Sequence, residues 1–402
     1  MAHMTGVRAM SLCAAALLAV ALQTPAVPAA ERPGRACVAG GQSTDDRARR
    51  VSDIVRKAQR ELDLKAVLVR VTVNGGEVVT DATGESMAGV PATPDMHFRS
   101  GAVAFAYLTT VLLQLVDEGR VGLDEPVSRR LPGLPHGDGI TLRMLGDSTS
   151  GLHDYVTDPA FVKRFYADPF RQWTPRELLA YSLSHPLWYE PGSNWSYSHA
   201  NFVLLGQALE KITGTPLDRL LRERVLDPLG LSGTANGFTP EIPSPVLHAY
   251  DAERGRYEES TFWNPSWTTA PGAVLTSDIC DLARSARGIG SGELLSRHSH
   301  QVQLDPGTPG LGTPTAGCPA TVCLKQTDAL HFGMGVIVSN GWVVQNPSFA
   351  GFAAVQAYEP DEKLAIAVST TVGQKAPQGN TAQTITARIA AALAPDHPLD
   401  LP

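Results

Sequence analysis

Apolar and polar residues alternate in pairs of short segments near both ends of the chain, and this alternation predicts three β-hairpins. The hairpins span residues 65–84, 333–346 and 352–371. Each has turn-forming residues at its centre, which are Asn74-Gly75-Gly76, Ser339-Asn340-Gly341 and Pro360-Asp361-Glu362. Because the strands come from both ends of the chain, we expect them to form one antiparallel sheet.

Helical patterns flank and separate these strands. Residues 45–64 and 381–394 predict the first and last helices, which we expect to cover the sheet. Residues 102–119 are apolar on nearly every face and stop at Gly119, as a buried central helix would.

The predicted fold class is therefore α/β in the broad sense, that is, α+β. It has an antiparallel sheet built from both chain ends, flanked by the N- and C-terminal helices, with an inserted helical lobe. The expected boundaries are residues 45–99 with 331–395 for the sheet lobe and residues 100–330 for the helical lobe.

The composition is that of a globular protein, with 402 residues, 43% hydrophobic, 18% charged and a net charge of -7. There is no long basic run, so nucleic acid is not an expected partner. Residues 1–30 combine Arg8, a short apolar run and a stretch of small residues, which is typical of a secretory signal peptide. We expect residues 31–44 to be a flexible leader, and we expect no membrane span after it.

Five cysteines are present, and Cys13 lies in the predicted signal peptide, which leaves four. An even number in an exported chain favours disulfides over metal ligation. Cys318 and Cys323 bracket four residues of a Gly/Pro/Thr-rich loop, which predicts a local bridge; Cys37 and Cys280 would then pair by elimination.

No cofactor or metal is expected. The nearest metal-like pattern is His-Ser-His at residues 298–300, in a polar stretch without acidic or cysteine partners nearby. We therefore predict that this stretch is a solvated loop.

Four blocks of sequence, in the same order, carry a resemblance to a known family. "FRSGAVAF" (residues 98–105) is similar to that family's FRIGSVTK, and "ITLRMLGDSTSGLHDY" (140–155) is similar to its ITLRHLLTHTSGLPDY. Residues 190–231, beginning "EPGSNWSYSHANFVLLG", and residues 265–296 match two later blocks. The chain thus resembles the serine β-lactamase and D-Ala-D-Ala peptidase family, especially its class C and carboxypeptidase-like branch, which implies a β-lactamase/transpeptidase-like fold.

The chemistry that this resemblance implies needs a serine at the start of a buried helix and a lysine three residues later on the same face. The lysine holds or removes the serine proton, so that the hydroxyl can attack a carbonyl carbon. Here the two positions hold Ala102 and Phe105. Ser100 does not restore the motif, because Val103 stands three residues after it. An acyl-enzyme at this helix is therefore not expected.

The family's second motif, Tyr-x-Asn, is Tyr197-Ser198-His199 in this chain. Histidine titrates near neutral pH and tyrosine can donate a proton, so Tyr197 and His199 are candidates for acid/base catalysis without a covalent intermediate. The alternative is that Tyr197 is a hydrogen-bonded remnant and His199 fills the asparagine site.

The third motif of the family supplies a cation on a strand before residues 351–352. Its counterpart is either Asn346-Pro347-Ser348 or Gln345-Asn346-Pro347, and neither contains a lysine or histidine. Proline also removes a backbone N–H from the strand that would bind substrate.

Other residues are predicted to border a cleft, although each could instead pack or satisfy loop hydrogen bonds. They come from the block at 140–155, from aromatic loops and from the third motif. These candidate binding residues are Ser148, His153, Tyr155, Trp188, Trp267, Asn346 and Ser348.

The sequence leaves three functions open. The first is a secreted pseudoenzyme that binds a small molecule or peptide in the cleft, where Phe105 makes the floor more apolar. The second is an enzyme that uses Tyr197 and His199 for a cyclisation, isomerisation or elimination. The third is a protein that binds a partner through its surface; the oligomeric state is not predicted.

Overall fold

The computed structural model describes residues 37–39 and 45–401. The predicted signal peptide, residues 1–30, and most of the predicted leader lie outside these residues. In chain order the strands are β1 (Leu64–Val73), β2 (Gly76–Met87), β3 (Val90–Pro91), β4 (Phe98–Arg99), β5 (Ala235–Gly237), β6 (Tyr250–Asp251), β7 (Glu258–Glu259), β8 (Val274–Ser277), β9 (Leu330–Phe332), β10 (Ile337–Ser339), β11 (Trp342–Gln345), β12 (Ser348–Phe349), β13 (Phe352–Glu359) and β14 (Leu364–Val372).

Helices occupy both ends of the described chain and most of its middle. They are α1 (Asp46–Glu61), α2 (Val103–Asp117), α3 (Leu142–Gly146), α4 (Pro159–Ala167), α5 (Pro175–Leu183), α6 (His199–Thr213), α7 (Leu217–Leu221), α8 (Ile279–Gly290), α9 (Arg297–Leu304) and α10 (Thr381–Leu393). Helix α7 continues into a π-helical turn at Arg222–Leu226.

The main sheet joins the two ends of the chain, as the sequence predicts. Its strand order is β3-β2-β1-β14-β13-β11-β10-β9, with β12 paired to β13, and the pairing is antiparallel throughout. Helices α1 and α10 pack on one face, where Val55 and Ile385 share a hydrophobic cluster with Val69. Side chains of the opposite face, such as Leu68, share a cluster with α2 and α8. The predicted fold class is confirmed.

The hairpin turns fall where the sequence places them. Between β1 and β2, Asn74 and Gly75 both have positive φ, +50° and +75°. Between β10 and β11, Asn340 and Gly341 do the same, at +47° and +88°. Asparagine and glycine tolerate this left-handed backbone better than other residues, which is why these dipeptides close tight hairpins.

Helix α2 runs through the interior, in agreement with the predicted buried helix. Nearly every side chain from Val103 to Leu115 is buried. The helix ends at Asp117, and Gly119 follows in the left-handed conformation with a φ of +67°. Its burial fixes the position of its first turn, which is where the resemblance places the family's nucleophile.

One local prediction is wrong. The His-Ser-His segment at residues 298–300 belongs to α9 and is not a solvated loop. The Ser296 side chain caps the start of α9 by accepting a hydrogen bond from the Ser299 backbone. Ser299 is itself buried and donates its hydroxyl to Asp117, at the end of α2.

Both predicted disulfides are present, Cys37–Cys280 and Cys318–Cys323. Such bonds persist in oxidising compartments, which points to the outside of the cell. Within residues 37–39 and 45–401, no helix combines the length and apolar character needed to cross a membrane. The described residues form one compact unit, and the division into a sheet lobe and a helical lobe remains a prediction.

Candidate functional site

The start of α2 carries the two positions that the resemblance marks as vacated. Strand β4 leads through Gly101, whose φ is +31°, to Ala102, which precedes the helix without a side-chain cap. A Cβ atom on Gly101 would lie 3.1 Å from the Cβ atom of Pro347, so the segment after β11 packs directly on this turn. Phe105 follows Ala102 by about one helical turn.

Phe105 makes apolar contacts where a lysine would need polar ones. Its side chain is 1% exposed and stacks on Phe202 of α6, with ring centroids 3.8 Å apart and planes 6° apart. The edge of the His199 ring lies against it at 5.7 Å, and Tyr197 is 6.1 Å away. The Phe105 position is therefore an aromatic contact site.

The structure brings Tyr197 and His199 together at the start of α6. Their ring centroids are 5.2 Å apart in an edge-to-face arrangement. Ser198 caps the helix by accepting a hydrogen bond from the Ala200 backbone. Burial, with the nearby charge of Asp154, raises the pKa of the Tyr197 hydroxyl well above its ordinary value of 10.0, so it stays protonated as a donor.

Asp154 is a site residue that the sequence analysis did not select. His199 Nδ1 lies 3.0 Å from Asp154 Oδ2, and the His199 backbone N–H donates to Asp154 Oδ1 at 3.2 Å. A carboxylate only accepts hydrogen bonds, so Nδ1 carries a proton, and in the neutral imidazole Nε2 is then an acceptor. The two side chains are only 17% and 10% exposed, respectively. No spacing signal links residue 154 to residue 199.

Trp267 and two phenylalanines complete the aromatic surroundings of this pair. The Trp267 ring lies 6.0 Å from His199 and 5.5 Å from Phe349 of β12. Phe332 of β9 lies 5.9 Å from Tyr197. We call the set Phe105, Tyr197, His199, Trp267, Phe332 and Phe349, together with Asp154, the aromatic site.

Two of the predicted binding residues support the site from behind. Tyr155 is fully buried, and its hydroxyl donates to the Trp267 carbonyl oxygen at 2.6 Å. Ser148 is also fully buried, with a φ of +63°, and its hydroxyl accepts from Asn201 at 3.5 Å. Both side chains are fully buried in this structure, and their predicted role in binding a ligand stays a prediction.

His153 and Trp188 form a different stack. Their rings lie 3.8 Å apart, and His185 stacks on His153 at 4.6 Å. Burial, together with the neighbouring His185, lowers the pKa of His153 to about 4. In the described chain, neither His153 nor Trp188 has a ring contact with Tyr197 or His199.

The strand that should carry the third motif turns its two candidate residues away from the aromatic site. Asn346 Nδ2 donates to Gln383 of α10 at 3.0 Å, on the face that α10 covers. Ser348 is exposed and lines a separate cavity of about 240 Å³ beside Asp251. Asn346 and Ser348 thus lie outside the aromatic site, and their predicted role in binding a ligand stays a prediction.

Gln345 is the residue of this strand that faces α2. It is buried, and its amide donates to the Gly335 carbonyl oxygen. A Cβ atom on Gly335 would lie 2.4 Å from the Phe105 carbonyl oxygen, so Gly335 packs on α2. Two registers were open for the third motif, and one of them is Gln345-Asn346-Pro347. In that register the first residue, the neutral Gln345, lies beside α2.

Groups of possible metal ligands in the described chain do not include the aromatic site. One comprises Cys37, Asp278 and Cys280, whose two cysteines are joined in a disulfide. The other comprises Glu359, Asp361 and His397 near the β13–β14 turn.

The main sheet is built from both chain ends, and the start of the buried helix α2 lies close to Tyr197 and to Pro347 after β11. This is the fold of the penicillin-binding-protein-like serine hydrolases. A profile of the family described as Beta-lactamase matches residues 51–391. The chain belongs to this family, which confirms the resemblance.

Individual relatives agree with this assignment. A Bacillus subtilis (strain 168) protein that carries the name penicillin-binding protein PbpX is 22% identical over 311 residues, which are 76% of this chain and 71% of that protein. A Salmonella paratyphi A protein named D-alanyl-D-alanine carboxypeptidase is 33% identical over 298 residues, 67% of this chain. The chain spans 65% of that protein.

Solved structures show the same fold. A D-stereospecific amidohydrolase from a Streptomyces species aligns with a TM-score of 0.71 and 26% identity, over 87% of this chain and 99% of the other. A D-amino acid amidase from Ochrobactrum anthropi SV3, solved with D-phenylalanine, aligns with a TM-score of 0.73 and 21% identity, over 88% of this chain and 100% of the other.

Proposed function

We propose that this chain is a non-acylating member of the family that binds a small molecule or a peptide at the aromatic site. The observation that carries the proposal is the stack of Phe105 on Phe202, with Ala102 one turn earlier. Neither alanine nor phenylalanine can attack a carbonyl carbon or accept a proton. Tyr197 and His199 are only partly buried, and their rings suit an apolar part of a ligand.

No neighbouring hydroxyl restores the missing nucleophile. Ser100 is 1% exposed, and its Oγ has no hydrogen-bond partner among the described residues. Three residues later stands Val103, which cannot act as a base. The hydroxyl at position 100 is therefore both buried and unactivated.

Covalent labelling tests the absence of acylation. We expect no adduct by intact mass after incubation with a fluorescent penicillin or a fluorophosphonate. Ala102→Ser is the matched variant, and it too should stay unlabelled because position 105 supplies no base. A stoichiometric adduct on the unmodified protein, mapped to any side chain of the aromatic site, would refute the proposal.

Direct binding tests the rest of the proposal. The D-amino acid amidase was solved with D-phenylalanine and with L-phenylalanine, so both are first ligands to try. Isothermal titration calorimetry with each phenylalanine should show saturable binding to the wild-type protein. The Trp267→Ala variant should bind the same ligand more weakly. Phe170→Ala is a control, because Phe170 is 62% exposed and has no ring contact with the aromatic site among the described residues.

A second candidate function is proton transfer, and the Asp154–His199 contact favours it. A histidine held by a carboxylate through Nδ1 is a common arrangement for a general base. His199 Nε2 would accept a proton from a substrate C–H or O–H group, and the Tyr197 hydroxyl would donate one at another substrate atom. Cyclisation, isomerisation and elimination all fit this pair.

The two candidates differ in what the ligand becomes. If the chain is a catalyst, the bound compound is converted and Tyr197→Phe or His199→Ala lowers kcat while binding persists. If the chain only binds, the compound is recovered unchanged by mass spectrometry from the wild-type protein.

We also propose that the protein is secreted through residues 1–30. The two disulfides support this proposal, because they persist in oxidising compartments. Mass analysis of the protein from the culture medium should show an N-terminus near residue 30, and retention of the full chain inside the cell would contradict it.

A further inference from the structure

The aromatic site lacks the positive charges on which the family's covalent chemistry depends. The lysine position is Phe105, and the strand residue that faces α2 is the neutral Gln345. No described lysine or arginine pairs or stacks with Phe105, Tyr197, His199 or Trp267. The charged partner that the structure gives to these side chains is the carboxylate of Asp154.

His199 presents a hydrogen-bond acceptor in this surrounding. In the neutral imidazole, Nδ1–H donates to Asp154 and Nε2 carries the lone pair, and Nε2 has no partner among the described residues. The Asp154 carboxylate also accepts the backbone N–H groups of Val156 and His199 at 3.2 Å. His199 opens α6, so the positive end of the helix further stabilises the carboxylate.

Apart from the Tyr197 hydroxyl, which is a neutral donor, the features that could attract an anion are already satisfied or buried. The N-terminus of α2 would favour negative charge. However, its first N–H groups, those of Val103, Ala104 and Phe105, donate to carbonyl oxygens of residues 100–102 at 3.0–3.1 Å. The Trp267 indole nitrogen has no hydrogen-bond partner among the described residues, but this atom is buried.

From this charge arrangement we propose that the aromatic site selects protonated amines that carry an aromatic or other apolar group, over carboxylates of the same shape. The inference rests on the proposed ligand-binding function. The ammonium group would donate to His199 Nε2 and lie near the ring of Tyr197, which is only partly buried and whose face attracts cations. The Asp154 carboxylate behind His199 adds to that attraction. The expected ligand is thus a cation, whereas a ligand that is recognised by a lysine is an anion.

Three small probes of matched shape test the inference on the wild-type protein. They are 2-phenylethylamine, 3-phenylpropionate and 2-phenylethanol, which differ mainly in the charge of one terminal group. Calorimetric titration at pH 7.5 should show that the amine binds at least 10-fold more tightly than the carboxylate, with the alcohol between them. A carboxylate that binds as tightly as the amine, or an alcohol that equals the amine, would overturn the inference.

A charge-removing variant gives an independent measurement. Asp154→Asn keeps the size of the side chain, and it should weaken amine binding at least 5-fold while alcohol binding changes less than 2-fold. Glu259→Gln is the matched control, because Glu259 pairs with His248 at 2.6 Å outside the aromatic site. Equal losses for the amine and the alcohol in Asp154→Asn would show that Asp154 only holds the fold.

The outcomes separate this inference from the function on which it rests. If the carboxylate wins, the inference fails but ligand binding at the aromatic site stands. If none of the three probes, nor either phenylalanine, binds to the wild-type protein, the ligand-binding proposal itself fails and the inference falls with it. The comparison of probes on the wild-type protein does not depend on the folding of any variant.

Discussion

Replacing Phe105 by lysine should reveal how completely the family's lysine position has become apolar. The Phe105 ring is 1% exposed and stacked on Phe202. Phe105→Lys places an ammonium group there, whereas Phe105→Met removes the same ring and introduces a neutral chain of similar length. The difference in unfolding free energy between the two variants therefore isolates the effect of the charge.

The magnitude follows from proton binding. A buried lysine can avoid the desolvation of its charge by losing its proton, and this costs about 1.4 kcal/mol for each pH unit below an ordinary pKa of about 10.4. At pH 7 the limit is therefore about 4–5 kcal/mol, and at pH 9 about 2 kcal/mol. We expect Phe105→Met alone to lose about 1–2 kcal/mol, mostly from the lost stacking and imperfect packing.

The sign of the pH dependence is fixed by the same reasoning. Burial lowers the pKa of the introduced lysine in the folded state, so the unfolded state binds more protons. The stability of Phe105→Lys relative to Phe105→Met should thus rise as the pH increases from 7 to about 10. Urea unfolding of both variants at pH 7, 8 and 9, followed by circular dichroism, measures this difference.

A lysine variant as stable as the methionine variant at pH 7, with no pH dependence, would refute the reasoning. Such a result would mean that polar partners for an ammonium group persist around position 105. The proposal that the site cannot support acylation would then lose its main physical support.

Two further predictions concern stability. Burial raises the pKa of Asp147 from 3.8 to about 6, so the folded state binds this proton more tightly than the unfolded state. The stability of the wild-type protein relative to Asp147→Asn should therefore fall by about 2 kcal/mol between pH 4 and pH 7 in urea unfolding. A difference independent of pH would contradict this prediction. The disulfide Cys37–Cys280 closes a loop of 243 residues, whereas Cys318–Cys323 closes one of only 5. Replacing the first pair by serines should lower the free energy of unfolding by about 5 kcal/mol, and replacing the second pair should lower it by about 2 kcal/mol. Equal losses would show that loop length does not determine the contribution of each disulfide to stability.

Features that depend on neighbouring residues could be predicted from the sequence. The hairpins follow from period-two alternation around turn-forming dipeptides, and Asn74-Gly75 and Asn340-Gly341 adopt the positive φ values that such turns need. The buried α2 follows from its uniformly apolar sequence. The vacated positions Ala102 and Phe105 follow from the similarity of one short block to the family's motif.

Features that depend on contacts between distant segments could not be predicted. Whether Asp154 meets His199 is decided by how a loop packs against α6, 45 residues further on. For Asn346 the ambiguity was one residue in the strand register, and a shift of one residue moves a side chain to the opposite face of a sheet. The sequence left that register open. In the structure, Gln345 contacts Gly335 beside α2, whereas Asn346 contacts Gln383 of α10, so the two side chains lie on opposite faces.

The changes at the aromatic site are physically connected, because Phe105 touches both Phe202 and His199. A lysine at position 105 would put an ammonium group beside the imidazole. With phenylalanine there, the imidazole lies against an apolar ring, and its pairing with Asp154 supplies the polar contact that a half-buried histidine needs. His199 thus contacts Phe105 on one side and pairs with Asp154 on another. This arrangement supports our proposals that the site holds a cationic ligand and does not attack a carbonyl group.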